Sequence, residues 1–154
     1  MSISTAAGSR FFIGGAGEPA DLAAFQAHSY IEVGEIENLG EVGDESQVVQ
    51  FASLADGRMR KLKGVRDAGT MNIICGLDDS DAGQDAMIAA EAEPLNYAFK
   101  IQLNNPLTLG GTGGIKFYFG QVLSKRINIG DVNNVIRYNF NVGVNSGLTE
   151  VDPT

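Results

Sequence analysis

Histidine, cysteine and paired carboxylates are the usual raw material of a small active site, and this 154-residue chain is poor in the first two. His28 is its only histidine. A His-based metal cluster, or a His-paired Ser or Cys nucleophile, therefore has no second histidine to draw on. Cys75 is the only cysteine and falls on an apolar strand face with Met71, Ile73 and Leu77. A buried, inert thiol is expected there, and no intramolecular disulfide framework can form. The acidic stretch Asp79 to Asp85, DSDAGQD, resembles a calcium loop, but counting from Asp79 puts Gly83 fifth and Ala90 twelfth. A calcium loop needs glycine sixth and a bidentate Glu twelfth. A helix start explains the same residues: Asp81 as N-cap, with Gln84 three residues on completing a capping box.

Two glycine clusters fail as phosphate loops. Gly14-Gly15-Ala16-Gly17 lacks the Lys-Ser/Thr ending and the dinucleotide spacing, and Gly110 to Gly114 lacks a following helix. A turn or an inter-subunit arm is expected at each. No catalytic residue, metal ligand or cofactor is expected, and the chain does not read as an enzyme.

Charge is the more telling feature. Arg58, Arg60, Lys61, Lys63 and Arg66 are five of eleven basic residues, within nine positions of a chain carrying −8 overall. Acids flank them: Glu32, Glu35, Glu37, Glu41, Asp44 and Glu45 before, and Asp78, Asp79, Asp81, Asp85, Glu91 and Glu93 after. Separated patches of opposite sign steer association and fix its register, which favours a protein that binds copies of itself. The competing reading is a solvated hairpin edge whose cations discourage strand pairing. The net negative charge argues against a duplex-binding module.

The elements that must position this segment are mostly strands. With 44% apolar residues, the length suits one domain with a single core. Period-2 patterns cover Tyr30 to Glu37, Gln47 to Ser53, Thr70 to Leu77, Asn96 to Asn104 and Asn134 to Ser146. In the last, Ile136, Tyr138, Phe140, Val142 and Val144 face one way, and Arg137, Asn139, Asn141 and Asn145 the other. Ile115 to Ile129 reads as a long strand with a bulge or bend at Gly120. Asp56-Gly57 is the strongest hairpin turn, Gly130 to Asn133 returns the last strand antiparallel, and Asn105 to Gly114 reads as a mobile loop. One helix should follow Asp81 and stop at Pro94; a shorter one should run from Pro19 to about Gln26. The expected fold is mainly β: a sandwich or open barrel of about seven strands with one flanking α-helix. The N-terminus shows no basic n-region or apolar h-region, and no apolar stretch is long enough to span a bilayer.

The run from Ile31 to Glu93 resembles the core of the major tail tube proteins of long-tailed, non-contractile, lambda-like phages. EVGEIENLG (Glu32 to Gly40) leads through a polar loop to SQVVQFASLADGRMRKLKGVRDAGT (Ser46 to Thr70), then to MNIICGLDDSD and the helix AGQDAMIAAEA. Most specific are L-x-D-G at Leu54 to Gly57 and L-x-G-x-x-D-x-G at Leu62 to Gly69. Residues 1–18 match nothing in the pattern, and residues 1–17 are taken as an extended N-terminal arm on a single domain of 1–154.

The resemblance implies a β-sandwich subunit that assembles into hexameric rings stacked as a hollow tube in the virion, built in the host cytoplasm. Strands of each subunit would join a barrel around the lumen, through which DNA passes without specific binding. The tape-measure protein and the tail terminator and tip proteins would be partners; no membrane is involved. Carried onto this chain, Asp56 to Asp67 becomes the ring-to-ring contact loop, presenting Arg58, Arg60, Lys61, Lys63 and Arg66. Glu35, Glu37, Glu41, Asp44 and Glu45 are its acidic partners on a neighbour, and Asn139, Asn141 and Asn145 a candidate lumen face. Two other readings stay open. One is a tube protein of a contractile tail or secretion system; the other is a small β-sandwich module binding carbohydrate or calcium.

Overall fold

The computed structural model describes residues 3–154. In chain order its elements are β1 (Arg10–Ala16), α1 (Leu22–Gln26), β2 (Ile31–Val33), β3 (Ile36–Asn38), β4 (Glu45–Ala52), β5 (Met59–Asp67), β6 (Thr70–Gly76), α2 (Ala82–Glu91), β7 (Tyr97–Gln102), β8 (Ile115–Asn128), β9 (Arg137–Val144) and β10 (Thr149–Val151). The fold is mainly β, as the alternation predicts, with strands more numerous than seven and both expected helices present.

Eight strands form one antiparallel sheet in the order β2-β1-β7-β8-β9-β6-β3, with β10 also on β8. Its two ends are consecutive in sequence. β2 closes one end against β1, β3 closes the other against β6, and only Gly34 and Glu35 separate them. The sheet must therefore curl back on itself, which is how one sheet acquires an inside. That inside holds Phe11, Ile13, Met71, Ile73, Cys75, Phe99, Tyr118, Phe140 and Val142, with Met87 and Ala90 of α2 completing the core. Phe99 stacks between Phe11 and Tyr118, at centroid distances of 5.6 and 5.5 Å. On the outside of the β1-β7-β8 portion, Phe25 of α1 and Tyr30 pack on Phe117 and Ala98 in a second, smaller cluster.

The structure corrects several boundaries. Tyr30 to Glu37 is two strands serving opposite ends of the sheet, because Glu35 takes the left-handed conformation at φ 58 and turns the chain between them. Gly14-Gly15-Ala16 is neither turn nor arm; it ends β1, an interior strand paired with β2 and β7. Of the expected arm, residues 10–16 thus belong to the sheet, while Met1 and Ser2 lie outside the described residues. The irregularity in β8 falls between Val122 and Ser124, not at Gly120, which stays in register opposite Val144. Gly120 is needed for a different reason: a Cβ there would collide with the backbone of Gly143. α1 begins at Leu22, three residues past Pro19, under an Asp21 cap. The 105–114 loop is tied down, with Gly114 donating to Asn105 Oδ1 and Thr112 exchanging backbone and side-chain hydrogen bonds with Thr154.

Candidate assembly surface

Among the described residues β4 and β5 pair only with each other, making a hairpin separate from the main sheet. The Asp56-Gly57 turn is where the sequence puts it. Gly57 has φ +61, and Asp56 accepts from the Arg58 N–H at 3.0 Å and from Arg60 Nη2 at 2.8 Å. Those hydrogen bonds, Arg60's first, hold the Asp56 carboxyl below the ordinary carboxylate range. The basic segment is thus a turn followed by a strand rather than a shaped loop, and strand geometry divides its charges. Register sets Val49 against Leu62 and Phe51 against Arg60, while Val48 faces Lys63 and Gln50 faces Lys61. Arg60 therefore shares one face with Val49, Phe51 and Leu62, and Lys61 and Lys63 share the other with Val48, Gln50 and Met59. A bulge at Gly64 and Val65, opposite Gln47, separates these positions from Arg66.

The apolar residues of the hairpin are the feature sequence reasoning passed over. Val48, Val49, Phe51, Met59, Leu62 and Val65 are each about half exposed or more. Single exposed apolar residues need no explanation, but six on one two-stranded ribbon, too thin to have a core, mark a contact surface. The signal was present in QVVQFAS and MRKLKGV. Gln47 to Ser53 alone reads as ordinary strand alternation, and in MRKLKGV the charges dominate the pattern.

The acids divide as well. Glu41, Asp44 and Glu45 line an open cleft of about 830 Å³ where the hairpin leaves the body, joined by Asp67. Asp44 pairs with Arg66 of the same chain at 3.5 Å. Glu37 pairs with Arg137 on the sheet, and Glu35 sits at the corner between β2 and β3. Arg58, Lys61 and Lys63 form no ion pair among the described residues, whereas Arg60 and Arg66 do.

Asn139 and Asn141 project from the outer face of β9, and Asn145 lies just beyond it. Asn141 donates to Ser124 of β8 at 3.1 Å and Asn145 to Asn96 at 2.7 Å. Register adds Asn72 of β6 beside Asn141, and Arg126 of β8 beside Asn139. This is one continuous polar patch on the portion of the outer face left bare by α1.

Asp81 caps α2 as expected, accepting from the Gln84 N–H at 2.9 Å. Gln84 does not return the favour as a capping box would. It is buried, accepts from the Asp78 N–H, and donates to the carbonyls of Gly34 and Gly76. Among the described residues no group of three or more His, Cys, Asp or Glu side chains is placed to hold a metal.

Comparison with protein-family models gives no match, and comparison with curated proteins gives none. Solved structures do match. A chain of the anti-feeding prophage baseplate aligns with a TM-score of 0.73 at 10% identity, over 99% of this chain and 98% of that one. The tail tube of SPP1 aligns at 0.62 and 15% identity, over 94% and 76%. A chain of the native gene transfer agent virion aligns at 0.62 and 15%, over 92% and 95%. The chain has a tail tube fold.

Proposed function

We propose that this chain is a structural subunit that self-associates into hexameric rings stacked as a tail tube, the conduit for DNA delivery. The β4–β5 hairpin carries the reading: a thin ribbon with half-exposed apolar residues on both faces and cations standing in water. A partner that covers it has to supply apolar surface and acids, and the cleft at the hairpin base supplies acids on every copy. Arg58, Lys61 and Lys63, unpaired among the described residues, are the cations free to reach Glu41 and Glu45 of a neighbour in the next ring. The overall charge of −8 keeps transiting DNA from adhering to the tube. Asn139, Asn141 and Asn145 suit a water-filled lumen. The tape-measure protein and the terminator and tip proteins are the further partners this role requires, and the virion is its site. Reversing Arg58, Arg60 and Lys61 to Glu together tests the contact: the variant should fold normally and fail to form tubes. Tubes of normal length would remove the charges from the account.

A second reading, the tube of a contractile tail or injection system, is favoured by one observation. The anti-feeding prophage chain matches over nearly the full length of both molecules, whereas the match covers 76% of the SPP1 chain. Co-assembly with a sheath would separate it from the non-contractile form.

A further inference from the structure

Asp56-Gly57 is the only Asp-Gly pair in the chain, and the sequence has no Asn-Gly pair. It lies at the exposed tip of the hairpin, beyond Ala52 and Met59, the last paired residues of the ribbon. An aspartate followed by glycine can react with its own backbone. Bonding the side-chain carbon Cγ to the next backbone nitrogen closes a five-membered ring, and glycine has no Cβ to shield that nitrogen. A Cβ placed on Gly57 would meet nothing within 4 Å, so no neighbouring group crowds the tip either.

The reaction needs nothing but water. With the Asp56 carboxyl protonated, the Gly57 nitrogen bonds to Cγ and gives up its proton, and one carboxyl oxygen leaves as water. The product is a succinimide. Water then opens the ring on either side. Breaking the bond between nitrogen and Cγ restores Asp56. Breaking the bond between nitrogen and the main-chain carbonyl carbon leaves an isoaspartate, whose backbone runs through Cβ and Cγ and is one carbon longer.

The hydrogen bonds of the tip oppose this step. The Gly57 N–H donates to the Ser53 carbonyl at 2.9 Å, which engages the attacking nitrogen. Asp56 Oδ1 accepts from the Arg58 N–H at 3.0 Å and Oδ2 from Arg60 Nη2 at 2.8 Å, so both carboxyl oxygens are held. Hydrogen bonds to the charged form also keep the carboxyl ionised, and a carboxylate is the poorer electrophile. The Arg60 contact is exposed on both sides, which leaves it open to salt.

We propose that Asp56-Gly57 is a latent isoaspartate site at the hairpin tip, and that Arg60 is the restraint that keeps the Asp56 carboxylate from closing on Gly57. Isomerisation lengthens the turn, withdraws the carboxylate from Arg58 and Arg60, and disturbs the Ala52–Met59 end of the ribbon. The inference concerns the single chain and stands apart from the tube reading. It does change the part played by Arg60, a cation already committed within its own tip. Reversing Arg58, Arg60 and Lys61 together removes this restraint as well, so that variant has to be assayed freshly prepared.

Peptide mapping of aged protein tests it. The full chain is kept for weeks near neutral pH at body temperature, and isoaspartate at position 56 is counted by isoaspartyl methyltransferase labelling and fragmentation mass spectrometry. The urea-unfolded chain should accumulate it fastest and the folded native sequence slowest. Arg60→Ala should speed the folded rate about three- to fivefold, the factor an exposed ion pair supports. Molar salt should speed the folded native sequence in the same direction with no substitution made, and should leave the unfolded rate unchanged. Asp56→Glu, whose longer side chain disfavours ring closure, should give no isomer at this position. A folded rate that answers neither to Arg60→Ala nor to salt would remove Arg60 from the account. An unfolded chain that gains no isoaspartate at position 56 would overturn the site itself.

Discussion

Gln84 donates from Nε2 to the carbonyl oxygen of Gly34, 3.1 Å away and fifty residues earlier in the chain. Asp81 Oδ2 accepts from the N–H of the same glycine at 3.0 Å. The first turn of α2 thus grips both backbone groups of the residue at which the sheet's two ends meet. Gln84 reaches Gly76 at the end of β6 as well, so one buried amide ties together β2, β6 and the helix.

Removing that amide should be costly. Gln84→Leu strands the Gly34 and Gly76 carbonyls and the Asp78 N–H, and each buried unsatisfied group costs about 1–3 kcal/mol. Some water entry will soften the sum, and a loss of about 2–4 kcal/mol in urea unfolding is expected. Asp81→Ala should cost about 1–2 kcal/mol, as loss of a cap does. A Gln84 variant with unchanged stability would show that the corner holds itself.

Gly83 offers a test in which two effects oppose. Ala is preferred to Gly inside a helix by about 1 kcal/mol. A Cβ on Gly83, however, would stand 2.6 Å from the Cα of Val33, deep in the contact between α2 and β2. Overpacking of this kind costs about 1–3 kcal/mol, and here the obstacle is backbone. Gly83→Ala is therefore expected to destabilise, the reverse of its helix preference. A stabilised variant in thermal unfolding would mean that α2 can slide on β2.

Alkaline pH should weaken the fold. Burial, aided by the charge of Asp81, pushes the Cys75 thiol from 9.0 up to about 11. Burial also raises Tyr118 above the usual phenol range. Between about pH 9 and 11 the unfolded chain has released the thiol proton while the native state still holds it, so stability falls as pH rises through that window. Below pH 9 both states keep the proton and the thiol contributes no slope. Urea midpoints measured from pH 8 to 11 should decline for the native sequence and decline less for Cys75→Ala. Equal slopes in the two proteins would place the alkaline loss elsewhere.

What the sequence reveals of this molecule follows from how local each cause is. The faces of β6 and β9 could be read directly because alternation is a property of one strand, and Met71, Ile73, Phe140 and Val142 are buried as it requires. Asp81 as N-cap was legible for the same reason. Glu35 was not: its left-handed turn answers to Gly76, whose N–H donates to the Glu35 carbonyl from far along the chain. Gln84 likewise sits where a capping box expects it, but three distant backbone groups outcompete the local one. In the hairpin, the exposure of Val48, Val49, Phe51 and Leu62 is not legible in sequence, because a strand pattern does not say whether anything lies beneath it.

Phe51→Asp combined with Leu62→Asp separates surface from core. Both side chains are exposed on one hairpin face, and substitutions at such positions shift stability by about 0.5 kcal/mol or less. Thermal unfolding of the monomer should hardly change, while sedimentation should show assembly abolished. A large loss of monomer stability would mean the hairpin folds back onto its own chain.

The central claim, that this chain builds a tube from copies of itself, is tested most directly by electron microscopy of the purified protein across salt and concentration. Hollow tubes of stacked six-fold rings are the expected result. Monodisperse single subunits under every condition, with the β4–β5 hairpin left in solvent, would contradict it.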